Sequence, residues 1–292
     1  MHTILCPLCE QDDTIPVARQ LKEGLAIVTV GCRQCGLVYH NPVIEDRDRQ
    51  ETAVSSRQWH TGAVDNARQL RKLEKRWQLQ WPLIQPVFGS GARVLEIGSG
   101  LGLVGGQLKS RGAEVWAVEP DPDQAAYARQ HFGLEVVPLH FEDVSFAGQQ
   151  FDLIVASHVI EHFPDPLEFL RQLSAYAHPE TRLFLETPNI LTPKVSYRRM
   201  FSPAHNFYFA PEILGWLLAK AGWQAEQLRV FRRDAFQMLA RPTSPAQPAV
   251  DPHMAGEVMR AIQRHRYLYY LKLLFIWRKL PWWQKYWMYR PR

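Results

Sequence analysis

Cysteine is scarce in this 292-residue chain, and the four that occur, Cys6, Cys9, Cys32 and Cys35, all fall before residue 36. So few thiols exclude a disulfide-stapled scaffold, and their crowding at one end marks a local site instead. Long apolar runs are missing as well. The longest candidate, Tyr267 to Trp277, has eleven residues and includes Lys272, short of the roughly 18 to 20 needed to cross a bilayer as a helix. The opening Met1-His-Thr-Ile-Leu has neither the basic region nor the apolar core of a secretory leader, so the expected location is cytoplasmic. No internal repeat is evident. Acids nearly vanish from residues 257–292, where nine Lys and Arg face Glu257 alone; that segment carries +8 and the rest of the chain −3. Hydrophobic residues at 46% and charged residues at 22% exclude a wholly disordered, collagenous or coiled-coil chain, and the length suffices for one large α/β domain with appendages.

What is present begins with the thiols. Cys6-Pro-Leu-Cys9 and Cys32-Arg-Gln-Cys35 form two C-x2-C knuckles separated by 22 residues. Two residues between thiolates let both sulfurs of a tight turn reach one tetrahedral ion at about 2.3 Å, and the second knuckle completes four ligands. Residues 1–45 are therefore expected to be a small zinc ribbon, with Leu25 to Val30 in its hairpin and Gly36 in the turn after the last ligand. Four cysteines leave no open coordination position, so Zn2+ would be structural and would supply much of the unit's folding energy.

From Gly91 onward, apolar runs alternate with helical patterns: residues 93–97, 114–118, 134–138, 151–156 and 182–186 read as strands, with a helix over 103–111 after the first. Near-continuous apolar strands separated by helices predict a parallel sheet covered on both faces, with ligands at the strands' carboxyl ends. The first such end reads Glu96-Ile-Gly98-Ser99-Gly100-Leu-Gly102. Missing Cβ atoms there let backbone approach a cofactor and turn sharply into a helix. Glu119 ends the second strand 21 residues after Gly98, placed to accept hydrogen bonds from ribose hydroxyls. Phe141-Glu142-Asp143 follows the third strand, and Ser157-His158-Val-Ile-Glu161-His162-Phe-Pro-Asp165-Pro166 follows the fourth.

As a set, these motifs resemble the class I S-adenosylmethionine-dependent methyltransferases, notably the group that includes the ubiquinone-biosynthesis O-methyltransferases, over about residues 65–240. The resemblance implies an α/β fold with a doubly wound, mostly parallel seven-stranded sheet. It implies that Glu96 and the Gly98, Ser99, Gly100 and Gly102 turn face the methionine part of the cofactor. Glu119, with Pro120, would hold the ribose; Phe141, with Glu142 or Asp143, would meet the adenine; Ser157 is counted with them.

Methyl transfer from a sulfonium is an in-line displacement, so alignment and exclusion of water come first, and a base is needed only where the nucleophile must lose a proton. His158, His162 and His205 are the candidate bases. His158 sits at a strand end, where it serves the methyl site or ties a loop. His162 orients structure or cofactor, or takes a proton. His205 lies in an insertion, residues 187–209, whose aromatics beside Arg198 and Arg199 form either a substrate lid or a loop packed on the sheet. Residues 211–222 read as a core helix and 224–230 with 235–240 as a closing antiparallel pair.

Four prolines in residues 241–252 predict an extended linker, so the expected organisation is a ribbon over 1–45, the methyltransferase domain over 46–240, a linker over 241–256 and a basic aromatic tail over 257–292. The tail reads as helical over 257–280, broken by Pro281-Trp-Trp283, with four Trp, five Tyr and one Phe between Tyr267 and Tyr289. Three uses are open to it: peripheral attachment at the inner membrane face, docking on its own chain or a second copy, and stacking on single-stranded nucleic acid, the least favoured. The expected reaction is O-methylation of a small or lipid-linked acceptor such as a sugar, glycolipid or quinone-type intermediate. Rival readings are a sugar C-methyltransferase, an RNA methyltransferase gripping its substrate with ribbon and tail, and a module that keeps the cofactor without turnover.

Overall fold

The computed structural model describes residues 1–45, 66–231 and 234–279. Its centre is a seven-stranded sheet in the order β10-β11-β8-β7-β4-β5-β6. The strands are β4 (Arg93–Ile97), β5 (Glu114–Val118), β6 (Glu135–Val137), β7 (Phe151–Ser157), β8 (Ala177–Pro188), β10 (Trp223–Phe231) and β11 (Ala235–Pro242). β4 through β8 run parallel, and β11 and β10 close the edge antiparallel. The apolar strands are buried on both faces because each face has its own core. Val94, Leu153 and Val155 point toward helices α1 (Asn66–Ile84), α2 (Leu103–Lys109) and α3 (Pro122–Phe132). Leu95, Ile154 and Ala156 point toward α4 (Pro166–Ser174) and α6 (Pro211–Ala221). Local chemistry sets the helix starts: Asp121 and Asp165 each accept two backbone N–H bonds just before a proline, the arrangement that fixes an N-terminus.

A second, antiparallel sheet has the order β1-β2-β3-β9, from β1 (Thr14–Lys22), β2 (Leu25–Cys32), β3 (Val38–His40) and β9 (Phe207–Tyr208). The N-terminal hairpin is thus completed by a strand from the insertion after β8. His40 fastens the junction, one ring nitrogen meeting Thr29 Oγ1 at 3.2 Å and the other the Ser202 carbonyl and the Tyr208 hydroxyl at 3.1 Å each. Lys220 of α6 donates to the carbonyls of Pro7 and Leu8 at 3.1 and 2.9 Å, inside the first knuckle, and pairs with Glu10. The insertion, which includes the one-turn α5 (Tyr197–Met200), buries Tyr197, Phe201, Phe207, Tyr208 and Phe209 in the core rather than holding them over the strand ends as a lid.

Several expected boundaries move, three of them for a visible local reason. The helix expected to reach residue 111 ends at Lys109, where Ser110 caps it. β8 is longer than 182–186 because Thr181 ties its first half to the Phe151 carbonyl. The last helix, α7 (His253–Lys279), starts before Glu257, since Asp251 accepts the His253 N–H and Pro252 occupies the first turn. Residues 243–252 are irregular and lie along the end of α6, with Thr243 and Ala246 N–H bonded to Gly222 and Ala219. Of the uses open to the tail, residues 253–266 take docking on the chain itself. Met254, Val258 and Ile262 are buried in the same core as Cys6, Cys32 and Cys35, and Arg266 donates to the Val17 carbonyl. Gly36 permits this approach, because a Cβ there would lie 2.9 Å from the Ala255 Cα. The expected break at 281–283 and the residues beyond it lie outside the described residues. Among the described residues no helix is long and apolar enough to cross a membrane.

Candidate functional site

The chain leaves β4 for β5 on one side and later fills β7 and β8 on the other, so the crevice between the carboxyl ends of β4 and β7 is the topological switch point. The glycine turn is there. Gly98, Gly100 and Gly102 have φ of 68, 54 and 79°, a left-handed run that glycine adopts without steric cost. Gly98 and Ser99 donate to the Val118 carbonyl, binding the turn to the end of β5. Glu119 closes it, one carboxylate oxygen accepting the Gly100 N–H at 2.7 Å and the other the Asp121 N–H at 3.0 Å. Glu96, buried on β4, accepts the Gly105 N–H at 2.9 Å. Burial pushes its carboxyl up to about 8, with the Gly105 bond opposing and the Glu119 charge adding to the rise.

A cationic amino-acid nucleotide fits these donors and acceptors. Two buried acids flank the turn; among the described residues, the buried Ser99 hydroxyl has no hydrogen-bond partner and a Cβ at Gly100 would meet only Gln124 Oε1, at 3.3 Å. The other expected contacts are spread more widely. Phe141 is inside the core, edge-on to Phe169 and Tyr176, while Glu142, Asp143 and Pro120 are exposed. Ser157 accepts a hydrogen bond from Gln80.

Across the crevice the three histidines separate into two environments. His158 adopts φ 58°, uncommon outside glycine, which turns its ring between two buried carboxylates. Its Nδ1 lies 3.2 Å from Glu161 and its Nε2 3.2 Å from Glu186. Burial opposes charge on this ring, but the bonds to Glu161 and Glu186 prevail and push it up to about 9. Burial alone would raise Glu161, yet His158 carries it down to about 2, and Glu186 is lowered in the same way with help from Arg76. His158 is therefore an imidazolium at neutral pH, unable to accept a proton. Arg76 and Gln80, one turn apart on α1, reach Glu186 at 3.4 and 2.9 Å, Gln237 of β11 adds 3.0 Å, and Thr187 donates to Glu161.

His162 and His205 form the second environment, their rings edge-on at 4.8 Å. A carbonyl can only accept, so the 2.7 Å contact of His162 Nδ1 with the Ala204 carbonyl puts the proton on Nδ1 and makes Nε2 the basic nitrogen of the neutral ring. Burial, then the neighbouring His162, holds His205 down to about 3, and its Nδ1 is buried with no partner among the described residues. Both rings lie with Glu161 in a cluster whose ligand-type atoms are within 4.8 Å of one another. Each Glu161 oxygen is already engaged, by His158 and by Thr187.

Sequence reasoning did not single out Glu186, Gln237, Arg76 or Gln80. The signal available was a polar residue within a core strand: Leu-Phe-Leu-Glu186 and Phe-Gln237-Met are interruptions that a fully buried strand tolerates only when the polar group is partnered.

Far from this crevice, the four cysteine sulfurs lie within 4.8 Å of one another, with Cys6 to Cys35 and Cys9 to Cys32 at 3.4 Å. Four sulfurs at about 2.3 Å from one tetrahedral ion would be about 3.8 Å apart, so the quartet fits a zinc ion.

A family model described as "Methyltransferase domain" matches residues 67–228. The ubiquinone biosynthesis O-methyltransferase of Methylobacterium sp. (strain 4-46) is 33% identical over 133 residues, 44% of this chain and 50% of that protein. The protein of the same name from Xanthomonas euvesicatoria pv. vesicatoria is 27% identical over 172 residues, 53% of this chain and 72% of that protein. The chain spans about half, or less, of the length of the first curated relatives it matches, 50%, 44% and 41%. Among solved structures, an S-adenosylmethionine dependent methyltransferase from Mesorhizobium loti aligns with 56% of this chain and 97% of its own, at 14% identity and a TM-score of 0.49.

Proposed function

The chain belongs to the methyltransferase-domain family, and from that membership we propose that it binds S-adenosylmethionine at the Gly98–Gly102 turn and methylates an oxygen of a small-molecule acceptor. The observation that carries this reading is Glu119, buried at the end of β5 with its carboxylate turned into the glycine turn. Bound there, the cofactor supplies an electrophilic methyl group on a sulfonium. The chain's own residues do the rest. Glu96 and Glu119 bring negative charge to a cationic ligand, Ser99 offers its unpartnered hydroxyl, and the His158 imidazolium with Glu161 and Glu186 holds the end of β7 in place. An oxygen acceptor gives up a proton as it attacks, and His162, whose Nδ1 is tied to the Ala204 carbonyl, offers Nε2 to take it beside the buried His205. The curated relatives act, by name, in ubiquinone biosynthesis, which supports a quinone-type acceptor, with sugars and glycolipids as the next to screen.

Calorimetric titration tests the cofactor reading directly. S-adenosylmethionine and S-adenosylhomocysteine should bind and NAD should not. Because Glu96 carries its proton at neutral pH and a cationic ligand favours the carboxylate, binding at pH 7 should release close to one proton, seen as a dependence of the heat on buffer ionisation enthalpy. Affinity should rise by up to about tenfold per unit between about pH 6 and 8 and then level. Binding with no proton release would remove Glu96 from the site, and no binding by a folded sample would overturn the whole reading.

The cysteine quartet is assigned a structural Zn2+. Metal analysis should find one zinc per chain, and Cys32→Ser should lose it while S-adenosylmethionine still binds, since the quartet and the crevice share no ligand residue. A full complement of zinc in that variant would refute the assignment.

A further inference from the structure

A cleft of about 560 Å³ lies away from the crevice, between β1, α5 and the exposed half of α7. Three arginines from three separate segments line it, Arg19, Arg198 and Arg266, and among the described residues no acid does. Guanidinium groups gathered around one concavity repel one another unless an anion joins them, and their planar forks match phosphate oxygens in pairs. Arg266 is held at the rim by its 2.7 Å bond to the Val17 carbonyl. Gln20 also lines the cleft, and both polar atoms of its carboxamide are buried with no hydrogen-bond partner among the described residues. Buried amides are nearly always hydrogen-bonded, so this one is an unmet requirement at the same place as the positive charge. The lining differs from that of the crevice, where the acids Glu96 and Glu119 flank the glycine turn.

We propose that this cleft binds the phosphate group of a phosphorylated ligand, with Arg19, Arg198 and Arg266 as its cationic contacts and Gln20 as a hydrogen-bond donor. The ligand's remaining part has an apolar surface to follow. Tyr270 lines the cleft, and on the same helix Tyr267, Leu268, Tyr270 and Leu271 are exposed by 66, 49, 60 and 42%. A phosphate in the cleft with its carrier along that stripe suits either a soluble phosphate ester or the headgroup of an anionic lipid. The inference concerns binding alone and does not depend on the methyl acceptor.

The test uses the full chain with inorganic pyrophosphate, and with phosphatidylcholine vesicles with and without phosphatidylglycerol. Binding is measured by calorimetry and by co-sedimentation, for the wild type and for Arg19→Glu with Arg198→Glu. Both side chains are exposed, so the thermal midpoint should be unchanged while phosphate affinity falls at least tenfold. Pyrophosphate binding lost in the variant supports the proposal with a soluble ester as ligand. Sedimentation only with phosphatidylglycerol vesicles, also lost in the variant, supports it with a lipid headgroup. Binding that survives the charge reversal, no binding of either probe, or binding only of a single-stranded oligonucleotide would overturn it.

Discussion

Gly100→Leu should weaken S-adenosylmethionine binding at least about 100-fold, some 2.7 kcal/mol, while the chain stays folded. The three turn glycines differ in what surrounds them. A Cβ at Gly98 would come within 2.6 Å of Val159 Cγ2, and one at Gly102 within 2.6 Å of the Ala128 Cβ and 3.1 Å of its Cα. Substitutions at those positions collide with the protein itself and would confound binding with folding. At Gly100 the new side chain meets only the flexible end of Gln124, at 3.3 Å. The cost to the fold is that of a left-handed residue, about 1 to 2 kcal/mol. The leucine would fill the space that the cofactor must enter. Calorimetry and thermal melting on the same sample separate the two effects, and an affinity within threefold of wild type would place the cofactor elsewhere.

His158→Asn should cost about 3 kcal/mol of stability or somewhat more, the usual result of removing one partner from a buried ion pair. Asparagine is chosen because it tolerates the left-handed backbone that His158 adopts, so the loss reports charge rather than strain. Without the imidazolium, Glu161 and Glu186 face each other, with Arg76 beside Glu186 and His162 and His205 beside Glu161. The pH dependence gives a second signature. His158 contributes fully below its ordinary 6.5 and loses that contribution as pH climbs toward about 9. Glu161 contributes fully above its ordinary 4.5 and loses it as pH falls toward about 2. The network therefore stabilises most between about pH 4.5 and 6.5, the range bounded by those two ordinary values. The variant should lose the alkaline decline, because the group that deprotonates there is gone. A melting temperature within a degree or two of wild type across this range would mean that the network carries no net energy.

The glycine turn and the acids flanking it were legible because their pattern is local. Glycine spacing, an acid two residues before the first glycine and an acid at the next strand end are all set by one strand-turn-helix-strand unit. The polar network was not, since His158, Glu186, Gln237 and Gln80 come from β7, β8, β11 and α1 and meet only when the sheet is assembled. The aromatics of the insertion left two readings open, a lid and a loop packed on the sheet, for a related reason. Read along the chain, Phe207, Tyr208 and Phe209 beside His205 resemble a lid; in space they are buried between two sheets. The pairing of Val38 and Tyr39 with Tyr208 and Phe207 leaves no trace in either segment's periodicity. The start of α7 was legible in Asp251-Pro252 and was masked by the prolines before it.

That pairing bears on how the molecule is made. The cysteine unit leaves the ribosome before the segments that complete it: its fourth strand is about 170 residues further along the chain, and the helix that covers it begins only at His253. During synthesis β3 has an open edge, a state in which exposed strands recruit the wrong neighbours. Non-local closure of this kind is also slow. The cysteine unit, made before the strand and the helix that complete it, is among the last parts to reach its final form, so nascent chains ending before residue 207 should be the ones that chaperones hold.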